Sequence, residues 1–178
     1  MSVYGDGLSA FGNLQTVEIP STGPQAANDA TAKAPLGALY RYNGNLFRYV
    51  KFNNGSGDVA ALTGGVVHWK TLTPSTGVFT VTSDYTDSLA NINAVAGIIG
   101  AVVTDAYFTW IQVGGVVNAK SHASTVAGDM QIGASTDLIF GRIAADANIV
   151  SVPFAVALGA TANGKASVLL CAGVLACL

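Results

Sequence analysis

The stretch AYFTWIQVGGVV, residues 106–117, decides the fold because it reads as a β-strand with two apolar faces. Successive side chains of an extended chain point to opposite sides, so Tyr107 and Ile111 lie on one face and Phe108 and Trp110 on the other. Neither face is stable in contact with water. The strand therefore needs a cover on each side, and the sequence raises the question of what covers the face of Trp110.

The composition is that of a chain with little charge. Charged residues make up 10% of its 178 residues, whereas an ordinary soluble protein has about 25%. Hydrophobic residues make up 51%, and 21 residues are glycine. The chain is long enough for one domain with a core of its own. Its surface must then be formed by neutral polar residues or lie inside an assembly.

The charge pattern and the apolar runs argue against several partners. The net charge is -2 and the eight Lys and Arg residues are not clustered, so we expect no direct contact with nucleic acid. The longest apolar runs, AVAGIIGAVV and ASVLLCAGVLACL, are shorter than the roughly 20 residues of a membrane-spanning helix. The N-terminal residues show neither a basic nor an apolar signal region, so we expect a soluble, unexported chain.

The distribution of turn residues predicts two parts. Residues 1–35 are rich in Gly, Ser, Thr, Pro and Asn without a sustained period, which predicts an extended N-terminal arm with at most a short strand at 14–19. Residues 36–178 contain short Val- and Thr-rich runs between turn signals, which predicts a compact β domain. We expect an all-β fold, a small β-barrel or β-sandwich.

Only one stretch could form a helix. Asp87 or Ser88 could cap a short helix that Leu89, Ile92 and Val95 would give one apolar face, before the glycines that follow return the chain to a strand. We therefore predict at most one short helix.

The strongest local signal is the hairpin LYRYNGNLFRYV, residues 39–50. Its centre, Asn43-Gly44, suits a two-residue type I′ turn because both central residues of that turn need a positive φ. The resulting register pairs Tyr40 with Phe47 and places four aromatic side chains on one face: Tyr40, Tyr42, Phe47 and Tyr49. Such a stripe is either core, as is usual for aromatic cross-strand pairs, or a surface that binds a partner. Together with Phe108 and Trp110 these side chains are our candidate partner-binding residues.

No motif predicts catalysis or a bound cofactor. GATANGKA, residues 159–166, departs from a phosphate-binding loop because Ala166 stands where a hydroxyl would bind Mg²⁺, so a hairpin turn is the better interpretation. GDGLSA, at Gly5, lacks the preceding strand of a dinucleotide site. His68 and His122 have no Cys, Asp or Glu at metal-ligand spacing, so we expect no metal site.

The remaining reactive side chains have structural interpretations. Asp84 and Asp87 are better explained as caps of a turn or helix than as an acid-base pair. Cys171 and Cys177 would lie about 20 Å apart along a strand, too far for a disulfide, so we expect buried free thiols. We therefore expect a protein that is not an enzyme and that needs no cofactor.

Three stretches together resemble head decoration, or cement, proteins of tailed bacteriophages. They are the hairpin with YRY and FRYVK in residues 40–51, the aromatic strand YFTWIQVGG in residues 107–115, and the turn AGD in residues 127–129. The resemblance covers roughly residues 35–140, and its motifs are structural rather than catalytic.

The resemblance implies a β domain that binds the outside of a phage head and stabilises contacts between capsomers of the major capsid protein. It implies a homotrimer, made in the host cytoplasm and located on the capsid surface of the virion. It also suggests an answer to the first question: another subunit covers the second face of Trp110, and Phe108 belongs to the same contact.

Two other kinds of protein stay open as alternatives. A phage tail or fibre subunit should show a long repetitive or coiled region. A small β-barrel carrier should carry an export signal, and an enzyme domain should carry clustered titratable residues. The sequence shows none of these signals.

Overall fold

A computed structural model of the chain describes residues 22–88, 95–134, 136–143 and 154–171. Among these residues no helix is longer than the three-residue 3-10 turns Pro24–Ala26, Pro74–Thr76 and Tyr85–Asp87. The ten strands of the described chain are β1 (Leu39–Tyr42), β2 (Asn45–Asn53), β3 (Val66–Thr73), β4 (Val78–Thr82), β5 (Val95–Ile99), β6 (Phe108–Lys120), β7 (Met130–Gly133), β8 (Phe140–Ile143), β9 (Ala155–Ala157) and β10 (Lys165–Leu170). The prediction of an all-β fold is confirmed.

The first half of the chain forms a closed barrel. Its strands follow the order β2, β4, β3, β5 and β6, and β6 pairs again with β2. All of these pairings are antiparallel except the parallel pairing of β2 with β4. Closure gives every strand of the barrel two neighbours, and the interior is filled by alternate side chains. The buried interior consists of Val50, Phe52, Ala61, Val67, Trp69, Val81, Ala96, Ile99, Val103, Ile111 and Val113.

The long strand β6 belongs to both halves of the fold. Its N-terminal part pairs with β2 and β5, and its C-terminal part, from Gly115 to Lys120, pairs with β10. Gly115 has φ +87°, and a Cβ there would overlap the side chain of Asn45. The Gln112 amide donates hydrogen bonds to the carbonyls of Gly114 and Val116, both at 3.1 Å. The VGG sequence is therefore the point at which the strand leaves the barrel.

Beyond that point β6, β10, β9, β7 and β8 form a second sheet. Its last strand returns to the end of β6, where the backbone N–H of His122 donates to the carbonyl of Phe140 at 3.1 Å. The inner face of this sheet packs on the outside of the barrel wall. The buried residues of this second core are Val66, Val95, Ile98, Ala119, Phe140, Ala155, Ala166, Val168 and Leu170.

The predicted hairpin is confirmed in its register. Tyr40 pairs with Phe47, and the turn residues Asn43 and Gly44 have φ 48° and 79°. A second hairpin turn lies within residues 159–166, where the backbones of Ala162 and Lys165 exchange two hydrogen bonds. The preferred interpretation of that stretch is thus confirmed.

The predicted helix and arm are described only in part. Asp84 accepts a hydrogen bond from the N–H of Thr86 and caps the turn Tyr85–Asp87. Residues 89–94 lie outside the described residues, and β5 begins at Val95, so the predicted return to a strand is confirmed. Of the arm, residues 22–35 are described, while Gly5 and the possible strand at 14–19 lie outside the described residues.

Candidate interaction surfaces

The outer face of the barrel carries an aromatic cluster where β2 and β6 pair. Tyr49 is the cross-strand partner of Trp110, and their ring centroids lie 4.9 Å apart. The ring of Tyr40, on β1, lies 5.9 Å from that of Trp110, and the ring of Phe108 lies 6.2 Å from that of Tyr49. The structure thus brings all six candidate residues into one cluster, which also contains Phe47 and Tyr42.

The chain covers this cluster itself. The N–H and carbonyl of Asp29 each hydrogen-bond to the backbone of Phe108 at 2.9 Å, and the Thr109 hydroxyl donates to the carbonyl of Ala27 at 2.8 Å. The Tyr49 hydroxyl donates to the Asp29 carboxylate at 2.8 Å and accepts from the N–H of Lys33 at 3.0 Å. Residues 27–38 and β1 therefore lie over the outer face of the barrel.

The prediction that another subunit covers Trp110 is wrong. Trp110 and Tyr49 are 0% exposed and Phe47 is 2% exposed within the single chain. The sequence left this open because the covering residues come from a turn-rich segment without periodicity, whose contacts are long-range. The interpretation of the aromatic stripe as core describes these three residues.

Half of the candidate set still reaches the surface. Tyr40, Tyr42 and Phe108 are half-buried, and Leu39 on the other face of β1 is 53% exposed. Burial raises the pKa of Tyr49 well above its ordinary value, the hydrogen bond from the Lys33 N–H opposes this shift, and the bond to Asp29 adds to it. The buried rings are thus a fixed base for a small exposed rim.

A second apolar surface, not among the candidates, lies on the outer face of the second sheet. Cross-strand partners in an antiparallel pair point to the same side, and five successive partners here are all apolar. We call them the apolar row: Val116, Leu169, Val156, Met130 and Ile143. At about 4.8 Å between strands the row extends over roughly 19 Å. Val116 is 49% exposed and Leu169 42% exposed, so the row is not covered within the described chain.

Alternation along the strands was the signal for this row. Lys165, Ser167 and Leu169 alternate with the buried residues Ala166 and Val168 of β10. The sequence indicates two faces for each strand, but the pairing of strands β6, β10, β9, β7 and β8 decides that their apolar residues fall into one line.

Two lysines lie beside the apolar row. Lys120 and Lys165 are cross-strand partners on the same outer face, four residues along their strands from Val116 and Leu169. Both are half-buried, and neither forms an ion pair with any described residue. Like charges that face each other across a strand pair destabilise the sheet. This corner of the face is therefore suited to a carboxylate from outside the chain.

The opposite end of the barrel is acidic. The Asn54 N–H donates to Asp105 at 2.8 Å and its side-chain amide donates to Asp58 at 2.7 Å, which holds these two exposed carboxylates near each other. Asp84 is buried, which would raise its pKa, but hydrogen bonds from Thr86 and Gly57 lower it below its ordinary value. Asp87 forms an ion pair with Lys70. Asp84 and Asp87 thus stabilise turns, as predicted.

His68 is a buried titratable side chain on the outside of the barrel wall. It is 0% exposed, its ring lies edge-on to Tyr85 with the centroids 5.7 Å apart, and neither ring nitrogen has a hydrogen-bond partner among the described residues. Burial lowers its pKa from 6.5 to about 4, although the charge of Asp137 acts in the opposite direction. His122 is exposed, as predicted.

The other searched features are quickly stated. The described residues contain no group of three or more His, Cys, Asp or Glu side chains that could hold a metal ion. Cys171 is a free thiol that is half-buried rather than buried, and Cys177 lies outside the described residues. Within the described part of the chain, no helix has the length and hydropathy required to cross a membrane.

Comparison with known proteins found no matching protein family, no matching curated protein and no matching solved structure.

Proposed function

We propose that the chain is a viral capsid decoration protein, which binds the outer surface of a phage head and stabilises contacts between capsomers of the major capsid protein. The observation that carries the proposal is the apolar row, because contiguous exposed apolar surface on a soluble domain marks a site of protein contact. The row lies on a sheet with a buried inner face, so it is presented on a rigid support.

The low charge of the chain supports the same proposal. Covering a polar or charged surface costs free energy unless each group finds a partner, and only 10% of the residues here are charged. A surface of apolar and neutral side chains loses little when many copies are packed against a shell. The work of such a protein is binding, and many weak contacts add up when the copies are linked through self-association, proposed here as a homotrimer.

The test is the copy number of this chain in purified virions from its source, measured by quantitative mass spectrometry against the major capsid protein. A copy number comparable to that of the major capsid protein supports decoration. A few copies per virion would instead support the alternative of a tail or fibre subunit, and absence from virions would support a carrier or an enzyme domain.

A second measurement tests stabilisation directly. Heads that lack this chain should release their genome at a lower temperature than complete heads, and adding the purified chain should restore the higher temperature. Heads that bind the chain without any change in that temperature would contradict a stabilising role.

A further inference from the structure

The exposed charges that lack an ion pair in the described chain are separated along β6. Asp105 lies three residues before its first residue, Phe108, next to Asp58. Lys120 is its last residue and pairs with Lys165. At about 3.3 Å per residue the 13 residues of β6 measure on the order of 40 Å along the strand. One end of this strand thus carries two carboxylates and the other end two ammonium groups.

Each charged pair has an exposed apolar neighbour. Beside the lysines lie Val116 and Leu169 of the apolar row. Near the carboxylates, three residues before Asp105, lies Val102, which is 61% exposed. The two ends are therefore complementary in charge and alike in having apolar surface next to the charges.

We propose that the lysine end of the second sheet binds the acidic end of a second copy of this chain, so that copies associate head to tail. Lys120 and Lys165 face Asp58 and Asp105 of the next copy, while Val116 and Leu169 pack against its Val102. The proposal names the surfaces of the self-association proposed above and rests on it, but it does not require a capsid.

A face-to-face contact between two apolar rows fits the charges less well. A two-fold axis through the row would place the lysines of one copy beyond the row of the other, where the same face continues with Ile132 and Gly141. Two ammonium groups would then lose water without gaining carboxylates, which is unfavourable. The head-to-tail contact pairs every one of these charges.

The size of the contact predicts its strength. The lysine pair and the adjoining part of the row cover roughly 20 by 15 Å on each copy, well below the total of about 1,200 Å² buried in stable complexes. The association should therefore be reversible and concentration-dependent. Because unlike surfaces meet, it closes into a ring or continues as a filament, and its charge pairs should make it weaker at high salt.

The experiment is sedimentation velocity of the full chain over a concentration series, at low and at high salt. We expect the wild-type chain to associate, with at least a tenfold weaker dissociation constant at high salt. Lys120→Glu with Lys165→Glu should abolish association at low salt. Arg41→Glu, which removes an exposed cation on β1, should leave it unchanged.

The charge swap provides the decisive variant. A chain with Lys120→Glu, Lys165→Glu, Asp58→Lys and Asp105→Lys has the net charge of the wild type and should associate again. If that chain does not fold, a mixture of the two double variants, one lysine-reversed and one aspartate-reversed, should associate where neither does alone.

Three results would overturn the proposal: a wild-type chain that stays monomeric at both salt concentrations, association that survives the lysine reversal, or a folded swap that restores nothing. A chain that fails in this way and still covers virions would keep its decoration function as a monomer.

Discussion

The two halves of this molecule both carry apolar side chains on their outer faces, and they differ in what lies over them. On the barrel, residues 27–38 and β1 cover Trp110 and Tyr49 completely. On the second sheet, Val116 and Leu169 remain exposed in the described chain. The comparison teaches that an apolar face found by alternation is not by itself a binding surface, because a neighbouring segment of the same chain can serve as its cover.

Truncation of Trp110 should have the largest effect on the comparison. Trp110→Ala leaves a cavity between β2, β6 and β1, so we expect it to lower the free energy of unfolding by about 3–5 kcal/mol. Leu169→Ala, in the apolar row, should change it by about 0.5 kcal/mol or less. Urea unfolding followed by tryptophan fluorescence or circular dichroism measures both. Equal losses in the two variants would mean that the faces do not differ in their cover.

Protonation of His68 should have the next largest effect. Its pKa is 6.5 in the unfolded chain and about 4 in the folded one, so the unfolded chain binds the proton more tightly. The free energy of unfolding therefore falls as the pH drops from about 6.5 to 4, by about 3 kcal/mol, and this side chain contributes no further change below that range.

The His68 effect can be isolated with two substitutions. His68→Gln should remove most of the pH dependence in that range, although it also changes packing at the ring of Tyr85. His122→Gln, at an exposed position, should leave the dependence as in the wild type. A wild-type slope that survives in His68→Gln would show that other groups cause it.

How much the sequence could predict differs between these regions for a physical reason. The hairpin register follows from Asn43-Gly44, because the turn needs two positive φ values and fixes the pairing locally. The all-β class follows from short runs with turn residues between them. Neither the covering of Trp110 nor the apolar row is local: the first joins Ala27 to Thr109, and the second joins five strands whose order the sequence does not state.

The bend between the two halves depends on one glycine. At Gly115 an alanine would be strained at φ +87° and would overlap Asn45, so Gly115→Ala should lower the free energy of unfolding by about 2–3 kcal/mol. Gly77→Ala is the matched control, because its φ is +70° with open space around the added Cβ. It should cost only about 1 kcal/mol. Equal costs at both sites would show that β6 does not need its close approach to Asn45.

The smallest expected effect concerns how the cover is held on the barrel. Tyr49→Phe keeps the ring against Trp110 but removes the hydrogen bonds to Asp29 and from the N–H of Lys33. The loss should be about 1–2 kcal/mol, because the Asp29 carboxylate and the Lys33 amide are left without this partner. Tyr42→Phe is the control, since the Tyr42 hydroxyl has no hydrogen bond to any described residue, and it should change little.

Hydrogen exchange separates the two ways in which the cover could be held. If the Tyr49 hydroxyl holds residues 27–38 in place, the amide of Lys33 should exchange faster in Tyr49→Phe while the amide of Phe108, bonded to the Asp29 carbonyl, keeps most of its protection. If both amides keep their wild-type rates, aromatic packing alone holds the cover. In that case the difference between the two outer faces arises from ring contacts, and Trp110→Ala becomes the only one of these substitutions that can expose the barrel face.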